Sequence, residues 1–434
     1  MIWTALAVFL TVRLFNIRSK VFIAITCGIY TANITVIATT ATYIHDLDVN
    51  MFALFLSVLA VYLWRTYKYG FLGSSVCVLL LLGLYQSYIS VTITLVIFYL
   101  IFQLLMQENF KTVFLAGIKS VSMLLIGGIA YYIILKIVFL VSNIDAVSSY
   151  NTLDNMFSLG FMELVKNVVI TYAHTIFKFL LPTTALPKIL ILIMTVVLAG
   201  IAGLIVILKI FGSKIKAKEK VLCLLLIAIL PIAMNVAKIL SGGMDHDLMR
   251  FAIWLAYLFA LLIVYKSKEF CDESDQKSLI QAMAKIGKST TVIILSIIIV
   301  SNITLANEVY LKRNLQHDAT LAYFSRVVEK MDSIDEYDRE KTPVLFVGKP
   351  DIFNDEMSGF EVTNSITGAG NYVLGASSSG YYRSYFEYKL HYRIIVAEDD
   401  LISAKDPQVV SMPVFPENGS LQIVNGVLVV KLGQ

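Results

Sequence analysis

Apolar positions come in long runs up to about residue 308, separated by short polar breaks; beyond Leu311 they take the spacings of a soluble domain. A helix needs roughly 20 apolar residues to cross the hydrocarbon core. The runs at 1–15, 21–43, 49–64, 71–87, 89–106, 112–141, 186–210, 221–240, 248–265 and 289–307 therefore predict about ten spans, the first of them short. The stretch 142–185 is too long for a turn. Met156, Phe157, Leu159, Phe161, Met162, Leu164 and Val165, then Ile170, Ile176, Phe177 and Phe179, recur at helical spacing and are interrupted by Lys166, His174 and Lys178. That pattern predicts amphipathic helices lying in a membrane interface. They would either wall a groove open to the bilayer or simply pack at the periphery.

After residue 308 the pattern mixes helix and strand. Thr320–Met331 has helical apolar spacing, Pro343–Gly348 reads as a short buried strand ending in a turn, and 419–431 reads as a hairpin with Asn425-Gly426 at its tip. The predicted organisation is a transmembrane domain over 1–307 and a soluble α/β domain over 308–434. No phosphate-cradling glycine loop follows Val347, so nucleotide binding is not indicated.

Basic residues orient the spans. Arg18/Lys20, Arg65/Lys68, Lys111, Lys214/Lys216/Lys218/Lys220 and Lys266/Lys268/Lys285/Lys288 fall in alternate loops, so all can be cytoplasmic together. The loops at 43–49, 86–89, 142–185 and 241–248 are then outside, as is the soluble domain. Met1 also falls outside, with no cytoplasmic segment before it, and no basic n-region or small-residue cleavage site marks a signal peptide. An N-terminally incomplete chain is the expectation that fits this start.

Composition agrees with a polytopic α-helical membrane protein. Of 434 residues 58% are hydrophobic and 15% charged, against about 25% charged in soluble domains; mean hydropathy is +0.76. The net charge of +4 sits in short loops and does not point to nucleic acid. Four cysteines, none of them in the soluble domain, imply neither a disulfide framework nor a zinc site.

Candidate chemistry collects on the outer face. Asp46 and Asp48, two residues apart at a span junction, suit a general base or a divalent cation such as Mg or Mn; they equally suit the start of the next helix. Arg250 and Lys238, near the outer ends of spans, suit a phosphate or a lipid headgroup. Asp245, His246 and Asp247 stand ready to pair with those cations or join a metal site. Tyr85-Gln86-Ser87-Tyr88 ends a span, where aromatics form an interfacial belt. Asn-x-Ser/Thr matches at Asn33, Asn302 and Asn418 decide nothing, since two lie within spans.

Asp46-Leu-Asp48-Val-Asn-Met-Phe-Ala-Leu-Phe-Leu resembles an outer loop and following span of the Gtr type II bacterial glucosyltransferases. Leu84-Tyr-Gln-Ser-Tyr-Ile-Ser90 resembles another stretch of that family, and Met412-Pro-Val-Phe-Pro416, Gly419-Ser420 and Val427–Lys431 are similar to its ending. The resemblance implies a GT-C-like enzyme of the bacterial cytoplasmic membrane, with its C-terminal domain extracytoplasmic. Such an enzyme takes a sugar, typically glucose, from a polyprenyl-phosphate carrier and transfers it to a surface polysaccharide such as O-antigen. Asp46 and Asp48 would be catalytic; Arg250, Lys238, Tyr85, Gln86 and His246 would bind substrate. The chain departs from the family in lacking a leading span and the acidic first outer loop thought to carry the base. An inactive fragment is therefore one alternative reading. The others are a polysaccharide polymerase or ligase and a lipid-linked-sugar transporter, the last disfavoured by few mid-span ionisable groups and no visible repeat.

Overall fold

A computed structural model describes residues 1–143, 160–212, 215–271, 277–350, 360–370, 379–397 and 403–433. The chain divides into two compact units: Met1–Ala306 with Ile366–Gly368, and Asn307–Ser365 with Ala369–Gln434.

The first unit is helical. Among the described residues seven helical stretches are long and apolar enough to span a membrane: Lys20–Thr42, Ile44–Thr66, Gln86–Leu105, Phe110–Ser142, Lys188–Phe211, Phe251–Phe270 and Gln281–Asp332. Two further runs that predicted spans form shorter helices, α1 (Ile2–Leu14) and Gly70–Leu84. Phe110–Ser142 is apolar apart from Lys111, Lys119, Lys136 and a few hydroxyl residues, yet only 6% of its apolar stretch is buried. Ile118, Leu125, Ile129 and Ile133 all point out of the protein. Such a surface is tolerable only in lipid, because water would penalise each exposed aliphatic side chain. The protein is a membrane protein.

Two expected spans are broken. The run 21–43 forms α2 (Lys20–Thr31) and α3 (Ile34–Thr42), divided at Asn33. Freed backbone groups in a membrane must find partners inside the protein. Asn33 supplies several: its side chain accepts from the Val36 amide at 3.1 Å and donates to the Ile29 and Tyr30 carbonyls, both at 3.1 Å. Asn302 donates to the Ala32 carbonyl at 2.9 Å. Asn33 is fully buried, so its glycosylation-like motif is a helix break. The run 221–240 likewise divides at Asn235, between Ala217–Ala233, which contains Pro231, and the one-turn helix Val236–Leu240.

Of the expected interfacial stretch, one amphipathic helix, Phe161–Leu180, is described; Met156, Phe157 and Leu159 lie outside the described residues. Met162, Leu164, Val165, Ile170, Ile176 and Phe177 are exposed along it.

In the second unit the expected helix 320–331 is the end of a 56-residue helix, Lys277–Asp332. Four strands follow: β1 (Pro343–Val347), β2 (Ile395–Val396), β3 (Leu421–Val424) and β4 (Val427–Lys431), in the order β2-β1-β4-β3. β1 runs parallel to both neighbours. β3 and β4 form the antiparallel hairpin expected from Asn-Gly, with Val424 opposite Val427 and positive φ at Asn425 (51°) and Gly426 (75°). This is the conformation that matches the strand twist in a two-residue turn. Phe324, Val327 and Met331 pack with Val344, Phe386, Leu428 and Val430 as its core. The two-residue β2 has no sequence signature, being too short for alternation to show.

Candidate functional site

A buried network of charge lies where three local structures of the first unit meet. The helix Phe161–Leu180 carries Asn167, Thr171, His174 and Lys178 at three- and four-residue spacing, which aligns them on one face. The one-turn helix Val236–Leu240 carries Lys238. After it Gly242 and Gly243 adopt φ of 69° and 99°, a conformation open to glycine, and the chain doubles back so that Asp245 faces Lys238. A single 3₁₀ turn, Asp247–Met249, then delivers Arg250 to the start of the helix Phe251–Cys271.

Asp245 is the hub. Its Oδ1 accepts from Arg250 Nε at 2.8 Å, and its Oδ2 lies 3.2 Å from Lys238 Nζ and 2.8 Å from His174 Nε2. Arg250 Nη1 also donates to Asp247 Oδ1. Asp247 Oδ2 accepts from the Thr367 amide at 3.0 Å and hydroxyl at 3.2 Å, and Thr35 donates to the Asp247 carbonyl at 2.8 Å. The Asp245, Lys238 and Arg250 side chains are 9%, 9% and 11% exposed. At that depth a carboxylate is stable only if its lone pairs are fully used.

The electrostatics follow. Burial alone would raise the Asp245 carboxyl; hydrogen bonds from His174 and Arg250, with their charges, overcome it and hold the carboxyl well below the usual range. Burial likewise opposes the Arg250 charge, and the two carboxylates more than offset it, so its pKa is raised. Lys178 shifts the other way: burial and the nearby Arg250 lower it, against a weaker pull from Asp247 and Asp245.

Beside this network lies a cleft of about 480 Å³, lined in part by Tyr43, Tyr85, Gln86, Tyr131, His246 and Thr367. Gln86 Nε2 donates to Tyr131 Oη at 2.9 Å. Thr367 both lines the cleft and binds Asp247. Its loop is held close: Thr42 donates to the Thr367 carbonyl at 3.1 Å. Gly368 has φ of 81°, and a Cβ there would stand 1.9 Å from Thr42 Oγ1.

The residues singled out from the sequence thus separate into three places. Tyr85, Gln86 and His246 line the cleft. Arg250 and Lys238 share Asp245, with Asp247 as a second partner of Arg250. Asp46 and Asp48 line neither the cleft nor the network and stand at the start of the helix Leu47–Thr66: Asp46 is half-buried with His45 Nε2 at 3.3 Å, and Asp48 is exposed in the first turn. Among the cleft residues, Tyr43 is their nearest neighbour in sequence. Asp46 makes no side-chain cap bond. Among the described residues no three His, Cys, Asp or Glu side chains converge as a metal site.

His174, Thr367 and the cleft residues Tyr43 and Tyr131 are members that sequence reasoning missed. His174 was visible as a polar interruption one turn before Lys178; Thr367 carried no signal, because its partner is 120 residues away.

Residues 1–267, more than half of the chain, match the family described as glucosyl transferase GtrII. No curated protein and no solved structure matches the chain.

Proposed function

The chain belongs to the GtrII glucosyl transferase family, and from that premise we propose that it moves glucose from a polyprenyl-phosphate carrier to a surface polysaccharide on the outer side of the bacterial cytoplasmic membrane. The observation that carries this reading is the cleft. Its volume falls within the roughly 300–1,000 Å³ of small-molecule sites. Its lining combines three tyrosine rings, whose faces suit the C–H surface of a sugar, with amide, imidazole and hydroxyl groups that suit its hydroxyls.

In the proposed reaction an acceptor hydroxyl oxygen forms a bond to the anomeric carbon as the bond from that carbon to the carrier phosphate breaks. The hydroxyl proton passes to a carboxylate acting as general base, for which Asp46 and Asp48 are the candidates, and the electron pair leaves with the phosphate. Tyr85, Gln86 and His246 orient the sugar. Arg250 and Lys238, fixed by Asp245, are assigned to the leaving phosphate through the N–H donors their carboxylate partners leave unused. A divalent cation would supply Lewis-acid neutralisation of that phosphate. Asp46, half-buried, and Asp48, exposed, two residues apart, are the groups that would hold it in place of acting as base, since one or two carboxylates suffice where phosphate and water complete the shell.

The test is transfer in membranes supplied with radiolabelled polyprenyl-phosphate glucose and the host's surface glycan. Gln86→Ala is expected to lower kcat/KM about tenfold, as loss of one substrate hydrogen bond does. Unchanged transfer would remove the cleft as the sugar site, and no transfer by the parent chain would refute the reaction.

A further inference from the structure

The charged network does not balance. Two carboxylates, Asp245 and Asp247, face three lysine and arginine side chains, Lys238, Arg250 and Lys178, with the His174 imidazole as a further partner of Asp245. Arg250 is forked between the two acids and Lys238 is committed to Asp245. Among the described residues, the half-buried Lys178 has neither a hydrogen-bond nor an ion-pair partner for its ammonium. A cation held away from water without a partner costs free energy, and its lowered pKa is the symptom.

Lys178 borders a small pocket of about 20 Å³ with Thr183, Asp247, Arg250 and Trp254. That is room for one oxygen-sized group. On the same helix, Thr175, Ile176 and Phe179 line a different recess, an apolar groove of about 250 Å³ completed by Gly203, Pro231, Phe259 and others. One helical turn therefore presents a surplus cation to the pocket and an apolar wall to the groove.

The geometry points to Lys178 as the group that binds the phosphate of a lipid-linked phosphate, with one phosphate oxygen in the small pocket and the apolar chain of the same lipid in the neighbouring groove. This rests on the proposed reaction for the identity of the lipid, and deepens it by assigning the phosphate contact to Lys178. The shared ligand chemistry is a phosphate anion, and what distinguishes a lipid from free phosphate is the groove. A purely structural role is the competing account: Lys178 lies in the last turn of its helix, where a cation is favoured by the helix dipole. That role predicts an effect on stability and none on ligand affinity.

The experiment is equilibrium binding of tritiated geranylgeranyl phosphate to the full chain in nanodiscs. Unlabelled geranylgeranyl phosphate, geranylgeraniol and inorganic phosphate serve as competitors. Lys178→Gln is expected to weaken binding about ten- to a hundredfold, the range for a hydrogen bond to a charged group. Lys178→Arg should stay within about threefold, because it keeps the charge. Gly203→Leu, where an added Cβ meets open space, should weaken the lipid phosphate by filling the groove while leaving Lys178 in place. Geranylgeraniol and inorganic phosphate should both compete poorly. Equal binding by Lys178→Gln would overturn the assignment. Displacement by inorganic phosphate as potent as by the lipid, or full affinity in Gly203→Leu, would overturn the lipid part. Binding is read without sugar or acceptor, so intact binding beside absent glucosyl transfer would refute the reaction and leave this site standing.

Discussion

Replacing Asp245 by Asn removes one negative charge from a site where three donors converge. The amide oxygen can still accept from Arg250 Nε, now 2.8 Å from Oδ1. The amide nitrogen then takes the place of Oδ2, where His174 Nε2 and Lys238 Nζ point at 2.8 and 3.2 Å. His174 can change tautomer and accept. Lys238 cannot, because an ammonium only donates. The variant therefore leaves a 9% exposed cation facing another donor, the situation that costs about 3–5 kcal/mol when one member of a buried pair is removed. That is a large part of a typical folding stability of about 5–15 kcal/mol. Denaturation in detergent, followed by tryptophan fluorescence, should show the loss, and Lys238→Met in the same chain should recover about 1–3 kcal/mol as the coupling energy of the pair. The pH dependence has a definite sign. A carboxylate depressed in the folded state contributes stability above its unfolded pKa and loses it as pH falls through the folded value. Parent stability should thus decline from about pH 5 downward, and the Asn variant should be flatter over that range. A variant within about 0.5 kcal/mol of the parent, the usual scatter for a surface change, would refute the claim that Asp245 organises the site.

Two further outcomes follow from the fold. Asn33→Ala should destabilise the protein by about 2 kcal/mol or more, the upper range for a lost cap, because water cannot replace the Val36, Ile29 and Tyr30 bonds there; chemical denaturation checks this, and glycosidase treatment of the parent should change nothing at that residue. In the second unit, Lys431→Met should cost about 1–3 kcal/mol, since the Lys431 ammonium donates to the carbonyls of Val409, Val410 and Met412 at 3.2, 2.6 and 2.7 Å. Amide hydrogen exchange should report the loosening at Pro407–Ser411 before it reaches β1.

The sequence by itself determined what depends on local pattern. Apolar runs longer than the hydrocarbon thickness mark a membrane protein whichever way the helices pack, because each helix satisfies its own backbone. The Asn425-Gly426 hairpin was legible for the same reason: both residues tolerate positive φ, and the partner strands are adjacent in the chain. The likeness to the GtrII family was legible in a few short stretches and is confirmed over residues 1–267. The cleft was partly visible, in Tyr85, Gln86 and His246.

Tertiary structure decided the rest, because it depends on long-range partners. The breaks at Asn33 and Asn235 were invisible within apolar runs; hydropathy averages over one polar residue, whereas a helix interrupted in the membrane needs that residue to cap it. Arg250 and Lys238 were expected at the site, but which acid they share, and how fully, depends on two glycines folding Asp245 back onto Lys238. His174 enters from a helix more than sixty residues upstream, and Thr367 from a loop more than a hundred residues downstream. A surplus charge on Lys178 is a property of that assembled set. No window of sequence contains all its members, so only the fold could show which cation is left, among the described residues, without a partner.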